Sequence, residues 1–304
     1  MRIVYAGSPA IAIAPLKALR DNGFDVVAVF SQPARPIGRK KVLTETPVAQ
    51  AAAEWGIPVY TPNSTGELAQ ALRETAPDLA IAVAYGRLID EESLGIPTRG
   101  WWNIHFSLLP RWRGATPVQH SILHGDEQTG ITIFQMDQGL DTGPIVSQEV
   151  FQPRALDTAG AQLEKMAERG AEQLVDALNE IDSLHPVDQV GEPTNAPKIA
   201  RAQGRINWHS STVEVDRLIR AVTPEPGAHT IVSRTGQSIS ILRAFPSPES
   251  ADLAPGEIAV ISNKVHVGTQ DGAIVLDRVV PSGKNEMPAN DWFRGAGMGV
   301  SFES

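Results

Sequence analysis

The feature that most constrains this chain is an alternation of short apolar strands with helices, established within its first residues. Residues 2–6 form a β-branched and aromatic run that stops at Gly7. Residues 11–20 have helical character that ends in the turn Asp21-Asn22-Gly23, and residues 24–31 form a second apolar strand. Strand, helix and strand within about thirty residues is the βαβ unit. The alternation continues with a helix over 48–55, a strand over 57–60, a helix over 67–75 and a strand over 78–84. That last strand contains LAIAVA, apolar on both faces, which suits the middle of a parallel sheet covered by helices on both sides. A strand over 101–107, a helix over 116–124, strands over 131–136 and 144–151, and a long helix over 158–181 capped by Asp157 or Thr158 complete the pattern. The fold predicted for residues 1–185 is α/β, with a doubly wound, mostly parallel sheet.

Residues 183–204 break this rhythm, with Pro186, Gly191, Pro193 and Pro197 interrupting any regular element, and residues 186–205 are read as a linker. Beyond it lie one helix over 213–222 and β-prone runs over 238–242, 257–261, 264–267 and 273–279. Turns at Gly227, Gly236, Gly256 and Asp271-Gly272 separate these elements, so residues 206–304 are predicted to form a small β-barrel or sandwich. With 304 residues, 42% of them hydrophobic and 20% charged, the chain has material for both cores. The absence of cysteine removes disulfides, thiolate metal sites and cysteine nucleophiles from consideration. No apolar run approaches the roughly 20 residues that cross a bilayer, and MRIVYAGSPA reads as a strand meeting a turn, not as a signal peptide. A cytoplasmic enzyme is the expectation. A net charge of −9 argues against a protein that coats nucleic acid, and confines any such partner to a local basic patch.

Several common cofactor signatures are missing. Tyr5-Ala6-Gly7-Ser8-Pro9-Ala10 sits where a dinucleotide fingerprint would, but it has one glycine where three are needed, and Pro9 lacks a backbone donor. There is no phosphate-binding P-loop. His120 and His124, four apart on a helix, have no accompanying zinc motif and no evident third ligand, so a helix-surface or substrate-facing pair is expected and no metal. Among aromatics able to stack on bases, Trp101 and Trp102 read as core, while Trp112, between two arginines, reads as a surface residue.

Asn103 and His105 lie two apart on a predicted strand, so their side chains share one face near the carboxyl end, where open α/β sheets place ligands. The apolar lip Ser107-Leu108-Leu109-Pro110 follows. Asp141 lies in the flexible loop Gln138-Gly139-Leu140-Asp141-Thr142-Gly143. On residues alone, His105 is open to the reading of a satisfied core histidine. Asp141 is equally able to be satisfied by turn amides or to reach a histidine and raise its pKa.

The run Asn103-Ile104-His105-Phe106-Ser107-Leu108-Leu109-Pro110-Arg111-Trp112-Arg113-Gly114, with Gly139-Leu140-Asp141-Thr142-Gly143 downstream, resembles the formyl-tetrahydrofolate-dependent transferase family. The resemblance implies a formyltransferase-type, Rossmann-like first domain, an OB-like second domain, and a catalytic set of Asn103, His105 and Asp141. It implies 10-formyltetrahydrofolate as co-substrate, its pterin lying by Ser107, Leu108, Leu109 and Pro110 and by Tyr85, Gly86 and Leu88. In this scheme Asn103 and a protonated His105 donate to the oxyanion of a tetrahedral intermediate, and Asp141 favours the imidazolium.

Within the family the chain is similar over almost its whole length to the branch that formylates initiator methionyl-tRNA, including 31–41, 107–119, 196–199, 204–208 and 226–228. In that branch the basic loop carrying Arg35, Arg39, Lys40 and Lys41 reaches the acceptor stem, and residues 206–304 form a tRNA-binding domain. Those 99 residues hold eight Lys/Arg against eleven Asp/Glu, so tRNA contact there requires a clustered basic face. Ala34 stands where the branch usually has an acid, and the loop is one residue shorter. Thr223-Pro224-Glu225-Pro226-Gly227 lacks the usual aromatic between prolines, and Ala10-Ile11 replaces an acid-phenylalanine pair. The resemblance also suggests a monomer. The competing expectations are formyl transfer to an amino-sugar nucleotide, hydrolysis of the folate by the same triad, and an inactive folate- or tRNA-binding protein.

Overall fold

Burial on both faces decides the centre of the first unit. In the computed structural model, which describes residues 1–38, 41–249, 252–297 and 299–303, two units pack separately. The first comprises 1–117, 128–152 and 163–195, and the second 118–127, 153–162 and 196–304.

The chain opens with β1 (Arg2–Gly7), α1 (Ile13–Asp21) and β2 (Asp25–Phe30). A short antiparallel hairpin follows, β3 (Arg35–Ile37) and β4 (Val42–Thr44). Then come α2 (Pro47–Glu54), β5 (Val59–Tyr60), α3 (Thr65–Thr75) and β6 (Leu79–Val83). After these lie α4 (Glu91–Gly95), β7 (Trp101–His105), α5 (Pro117–His124), β8 (Thr129–Gln135), β9 (Ile145–Phe151) and α6 (Ala159–Asn179).

The seven-stranded sheet has the order β5-β2-β1-β6-β7-β8-β9. It is parallel from β5 to β7 and antiparallel from β7 through β9. Every residue of β6 is buried, as its doubly apolar sequence predicts. Its residues Ala80 and Ala82 join Val4, Phe30, Leu72 and Trp101 in one core cluster. Helix starts follow side-chain chemistry. Thr46 caps α2 ahead of Pro47, and Ser64 accepts from the Glu67 amide at the start of α3. On the other face Gly170 of α6 brings that helix against Ile104 and Ile131, where an added Cβ would lie 3.2 and 3.3 Å from their methyl groups.

Six elements have no counterpart in the sequence pattern. The β3–β4 hairpin is three residues per strand, carries Pro36, and turns through positive φ at Gly38 and Lys41. It is paired structure where a flexible loop is expected. Helix α4 spans one turn and depends on the Asp90 side chain accepting from the Ser93 amide. The other three belong to the second unit.

That unit contains α7 (Thr212–Ala221), β10 (Ala228–Val232), β11 (Gln237–Pro246), β12 (Ile258–Ile261), β13 (Lys264–Gly268), β14 (Ala273–Pro281), β15 (Met287–Pro288) and α8 (Ala289–Ala296). β10, β15 and α8 are the three unforeseen elements. A capping box formed by Ser211 and Glu214 opens α7. Five strands form an antiparallel sheet in the order β10-β11-β14-β13-β12, with β15 on β14. Its two edges are bridged by the chain's last residues, Phe302 to Val232 and Ser301 to Glu257, which closes the sheet into a small barrel.

Phe302 plugs this closure. Its ring stacks between Trp208 at 5.4 Å and Trp292 at 5.5 Å, and Trp208 is anchored by its indole donating to Thr230 Oγ1 at 3.0 Å. Phe302→Ala is expected to destabilise this unit by about 3–5 kcal/mol. Urea unfolding followed by tryptophan fluorescence measures it, and a loss under about 1 kcal/mol would show that the aromatic stack does not hold the barrel shut.

Candidate active site

Three segments converge at the carboxyl end of β6 and β7. β7 contributes Asn103 and His105, the turn after β7 contributes residues 107–114, and the β8–β9 connection contributes Asp141. Asn103 is half-buried, and its carboxamide has no hydrogen-bond partner among the described residues. His105 is only 5% exposed and stands edge-on to Phe134 of the adjoining strand, at 6.3 Å between centroids. Its Nε2 donates to the Trp112 carbonyl at 2.8 Å. That bond fixes the proton on Nε2 and turns Nδ1 toward Asp141 Oδ2, 3.6 Å away. The separation is too long for a hydrogen bond but short enough for strong charge coupling.

Asp141 answers the question its sequence left open, since it does both things. Oδ2 accepts from the Gly114 amide at 2.7 Å and also faces the imidazole. The loop is tight. Asp141 has φ 53, and an added Cβ at Gly143 would lie 1.8 Å from the Gln135 carbonyl oxygen. Ala84 at φ 48 and Trp112 at φ 63 also adopt the left-handed region, so each of the three loops at this end of the sheet holds a strained non-glycine residue, at a cost of about 1–3 kcal/mol apiece.

Burial holds the His105 pKa below its ordinary value of 6.5, and the Asp141 carboxylate and the Trp112 carbonyl pull in the opposite direction without overcoming it. Near neutral pH the ring is uncharged, with the lone pair of Nδ1 directed at the carboxylate.

The turn after β7 is braced from below by Thr132 of β8. Its buried hydroxyl donates to the Ser107 carbonyl at 2.6 Å, and accepts from the Leu109 amide at 3.2 Å and from Gln148 Nε2 at 2.9 Å. Ser107 is fully buried and its hydroxyl donates to the Arg111 carbonyl, so it shapes the turn from inside. Leu109 is buried, whereas Leu108 and Pro110 are partly exposed. Leu108 lies over Gly130, where a Cβ would meet its Cδ2 at 2.2 Å.

The loop after β6 holds Tyr85, Gly86 and Leu88. Gln32 Nε2 donates to the Tyr85 and Gly86 carbonyls at 3.0 and 3.1 Å, and Ser8 Oγ donates to Tyr85. The Tyr85 hydroxyl is buried without a partner among the described residues, and burial raises its pKa to about 12 against the opposing charge of Arg87. Leu88 is 78% exposed.

Trp101 and Trp102 are core residues, as expected. Trp112 is not a surface residue. Its ring is buried beneath the Arg111 guanidinium, 4.4 Å from its centroid, because the left-handed turn folds it inward to present its carbonyl to His105. Of the basic loop, Arg35 and Lys41 lie exposed on the β3–β4 hairpin, beside exposed Ile37, Val42 and Leu43. Arg39 and Lys40 lie outside the described residues. His120 Nε2 pairs with the Pro197 carbonyl at 3.0 Å, and His124 Nδ1 with the His120 carbonyl at 2.9 Å. No group of three or more metal-binding side chains occurs among the described residues. No helix among them is long and apolar enough to cross a membrane.

The residues that sequence reasoning missed are supports: Thr132, Gln148, Gln189, Thr194, Ser8 and Gln32. Gln189 and Thr194 lie in the proline-broken stretch, which carries no periodicity to mark it. Yet Thr194 Oγ1 accepts from the Trp112 amide at 2.9 Å, and its carbonyl accepts from Arg113 N at 2.8 Å.

The site is thus an open α/β sheet that brings a free carboxamide, a buried imidazole and a carboxylate to the mouth of adjoining strands, where such sheets place their ligands. The chain belongs to the formyl transferase family: the Formyl transferase domain matches residues 1–178, and the Formyl transferase C-terminal domain matches residues 198–297. It is 45% identical over 298 residues to the methionyl-tRNA formyltransferase of Paenarthrobacter aurescens (strain TC1), covering 97% of each chain. Among solved structures it resembles HypX from Aquifex aeolicus in complex with tetrahydrofolic acid, with a TM-score of 0.71 and 20% identity over 96% of this chain; it spans 46% of that longer chain. The methionyl-tRNA formyltransferase from Clostridium thermocellum shares the fold with a TM-score of 0.59 and 18% identity, covering 81% of this chain and 94% of that one.

Because folding depresses the His105 pKa, the neutral ring contributes stability that is complete above the unfolded value near 6.5 and is lost as pH falls through it toward the folded value. In an NMR titration the His105 ring is expected to have its midpoint below 6.5. Asp141→Asn, which removes the raising influence, should move it lower still; a midpoint above 6.5 in the unaltered protein would mean that Asp141 outweighs burial.

Proposed function

We propose that this protein transfers the formyl group of 10-formyltetrahydrofolate to the amino group of initiator methionyl-tRNA, as a cytoplasmic monomer. The observation that carries the chemistry is the His105–Asp141 pair, Nδ1 to Oδ2 at 3.6 Å, beside the free Asn103 carboxamide. The acceptor is supported by end-to-end likeness to relatives named for methionyl-tRNA.

In this reading the amine nitrogen attacks the formyl carbon and the carbonyl oxygen gains negative charge. Asn103 Nδ2 donates to that oxygen. Neutral His105 accepts the amine proton on Nδ1, where the Asp141 carboxylate stabilises the imidazolium as it forms. The proton then passes to N10 of the folate as the carbon–N10 bond breaks, which leaves a formamide and tetrahydrofolate. Trp112 holds the ring at Nε2 throughout. No metal takes part in this scheme.

The folate would lie across the mouths of β6 and β7. The orphaned, buried Tyr85 hydroxyl and the exposed Leu88 fit a polar heterocycle lying on an apolar lip with Leu108 and Pro110, while Ser107, Leu109 and Gly86 set the lip's shape. Phosphates of the tRNA would meet the basic hairpin, through Arg35 and Lys41 together with Arg39 and Lys40. Residues 206–304 act as the tRNA-binding domain, and the stretch at 186–205, whose residues 186–195 pack within the first unit, joins it to the catalytic domain at 1–185.

Purified protein incubated with labelled 10-formyltetrahydrofolate and charged initiator methionyl-tRNA should place label on the tRNA catalytically. Formate release alone, or label on an amino-sugar nucleotide instead, would overturn the acceptor. His105→Asn should lower kcat by roughly 100- to 10,000-fold, and unchanged turnover would remove the proton-transfer role.

The paired change Arg35→Ala, Lys41→Ala should raise KM for tRNA, reduce the salt dependence of that KM by roughly two phosphate contacts, and leave the KM for folate as it was. A raised folate KM would mean that the hairpin serves the other substrate.

A further inference from the structure

We infer that Gln189 is a positioning residue for Asp141, setting where the carboxylate stands relative to His105. The inference rests on the proposed role of the His105–Asp141 pair.

The carboxamide of Gln189 is fully engaged. Oε1 accepts from Arg113 Nε at 3.1 Å and Nη2 at 2.7 Å, while Nε2 donates to the carbonyls of Asp141 at 2.8 Å and Gly143 at 2.9 Å. These four bonds use both lone pairs and both protons of the amide. Its orientation is fixed, because a flipped amide would set NH2 against a guanidinium and oxygen against two carbonyls. One side chain thus ties the turn that follows β7 to the loop that carries the carboxylate.

The backbone that presents Gln189 is itself pinned. Two residues earlier, Val187 exchanges both backbone hydrogen bonds with Ile145 at the start of β9, at 2.7 and 2.9 Å. The Asp141 loop needs such an external hold. It is bounded by Gly139 and Gly143, and Asp141 sits at φ 53. Among the described residues its carboxylate accepts one hydrogen bond, from the Gly114 amide directly after Arg113. Gln189 therefore holds both ends of that contact, Arg113 on one side and the Asp141 backbone on the other. A loop free to shift by about 1 Å forfeits roughly 100-fold in rate when it carries a reacting partner.

Gln189→Glu separates the two halves of this strap. It keeps an acceptor for Arg113 but replaces both donors with a carboxylate facing two carbonyl oxygens. The expected result is a kcat lower by roughly 10- to 100-fold, with KM for 10-formyltetrahydrofolate within about threefold and the limb of the pH–rate profile governed by His105 displaced to lower pH, because Asp141 no longer supports the charged ring as well. Gln189→Ala, which removes the whole strap, should do the same and guards against a folding defect peculiar to the buried charge. In an Asp141→Asn background either substitution should cost nothing further, since a residue that acts through Asp141 has nothing left to position. Wild-type kcat and pH profile in both Gln189 variants, alongside a collapsed Asp141→Asn, would overturn the inference and leave the proposed chemistry intact. So would a full additive loss in the double variants, which marks a structural role independent of Asp141. Unchanged turnover in Asp141→Asn alone would instead bring down the functional reading itself.

Discussion

The antiparallel pairing of β7 with β8 is the constraint on which the site depends. Up to β7 the sheet is parallel, and each strand delivers a loop to the same edge. Reversal at β8 sets Thr132 opposite His105 and Phe134 opposite Asn103. Because the register is fixed by burial on both faces, a one-residue slip would turn the Asn-His face into the core. Thr132 then converts register into loop geometry: its one hydroxyl fixes the Ser107 carbonyl, the Leu109 amide and Gln148 together. The turn so fixed carries Trp112 to where its carbonyl can hold the imidazole. The pairing thus determines not only where His105 stands but which of its nitrogens is free.

That determination has an electrostatic consequence. A histidine beside a carboxylate on a protein surface is easily protonated. Here the ring is enclosed by Phe134 and the Trp112 turn, so desolvation outweighs the attraction of Asp141. The two influences oppose one another within a few ångströms, which suits a group that must accept a proton and then release it. A ring charged at rest would be a poor base. A ring with no carboxylate near it would have no stabilised charged form to pass through.

Much of the fold was legible because it rests on local signals. The βαβ alternation, the doubly apolar β6 and the shift of character after residue 183 all follow from periodicity and turn chemistry. The Asn103–His105 face was visible for the same reason, since strand geometry puts alternate residues together. What the sequence did not disclose arises from contacts between distant segments. Trp112, flanked by arginines, has the local look of a surface aromatic, and only the left-handed turn and the hold of Thr194 explain its burial. The burial that lowers the His105 pKa comes from Phe134, the Trp112 turn and the Asp141 loop, which are distant in sequence. Gln189 lay in a stretch with prolines and no period, and its four hydrogen bonds join residues 48 and 76 positions away.

The distribution of strain shows why the supports had to be non-local. Ala84, Trp112 and Asp141 each hold a positive φ without being glycine. Glycine at any of them would relieve the backbone, but at Asp141 it would remove the carboxylate, and at Trp112 it would remove the ring that closes over His105. The cost of these conformations, about 1–3 kcal/mol each, must be met by bonds from elsewhere. Those bonds come from side chains outside the reacting set: Gln32 and Ser8 onto the β6 loop, Thr194 onto Trp112, and Gln189 onto the Asp141 loop. Each of these three loops has a polar side chain from a separate segment hydrogen-bonded to it. A site assembled this way loses its geometry when a support is lost, even though no reacting group has changed.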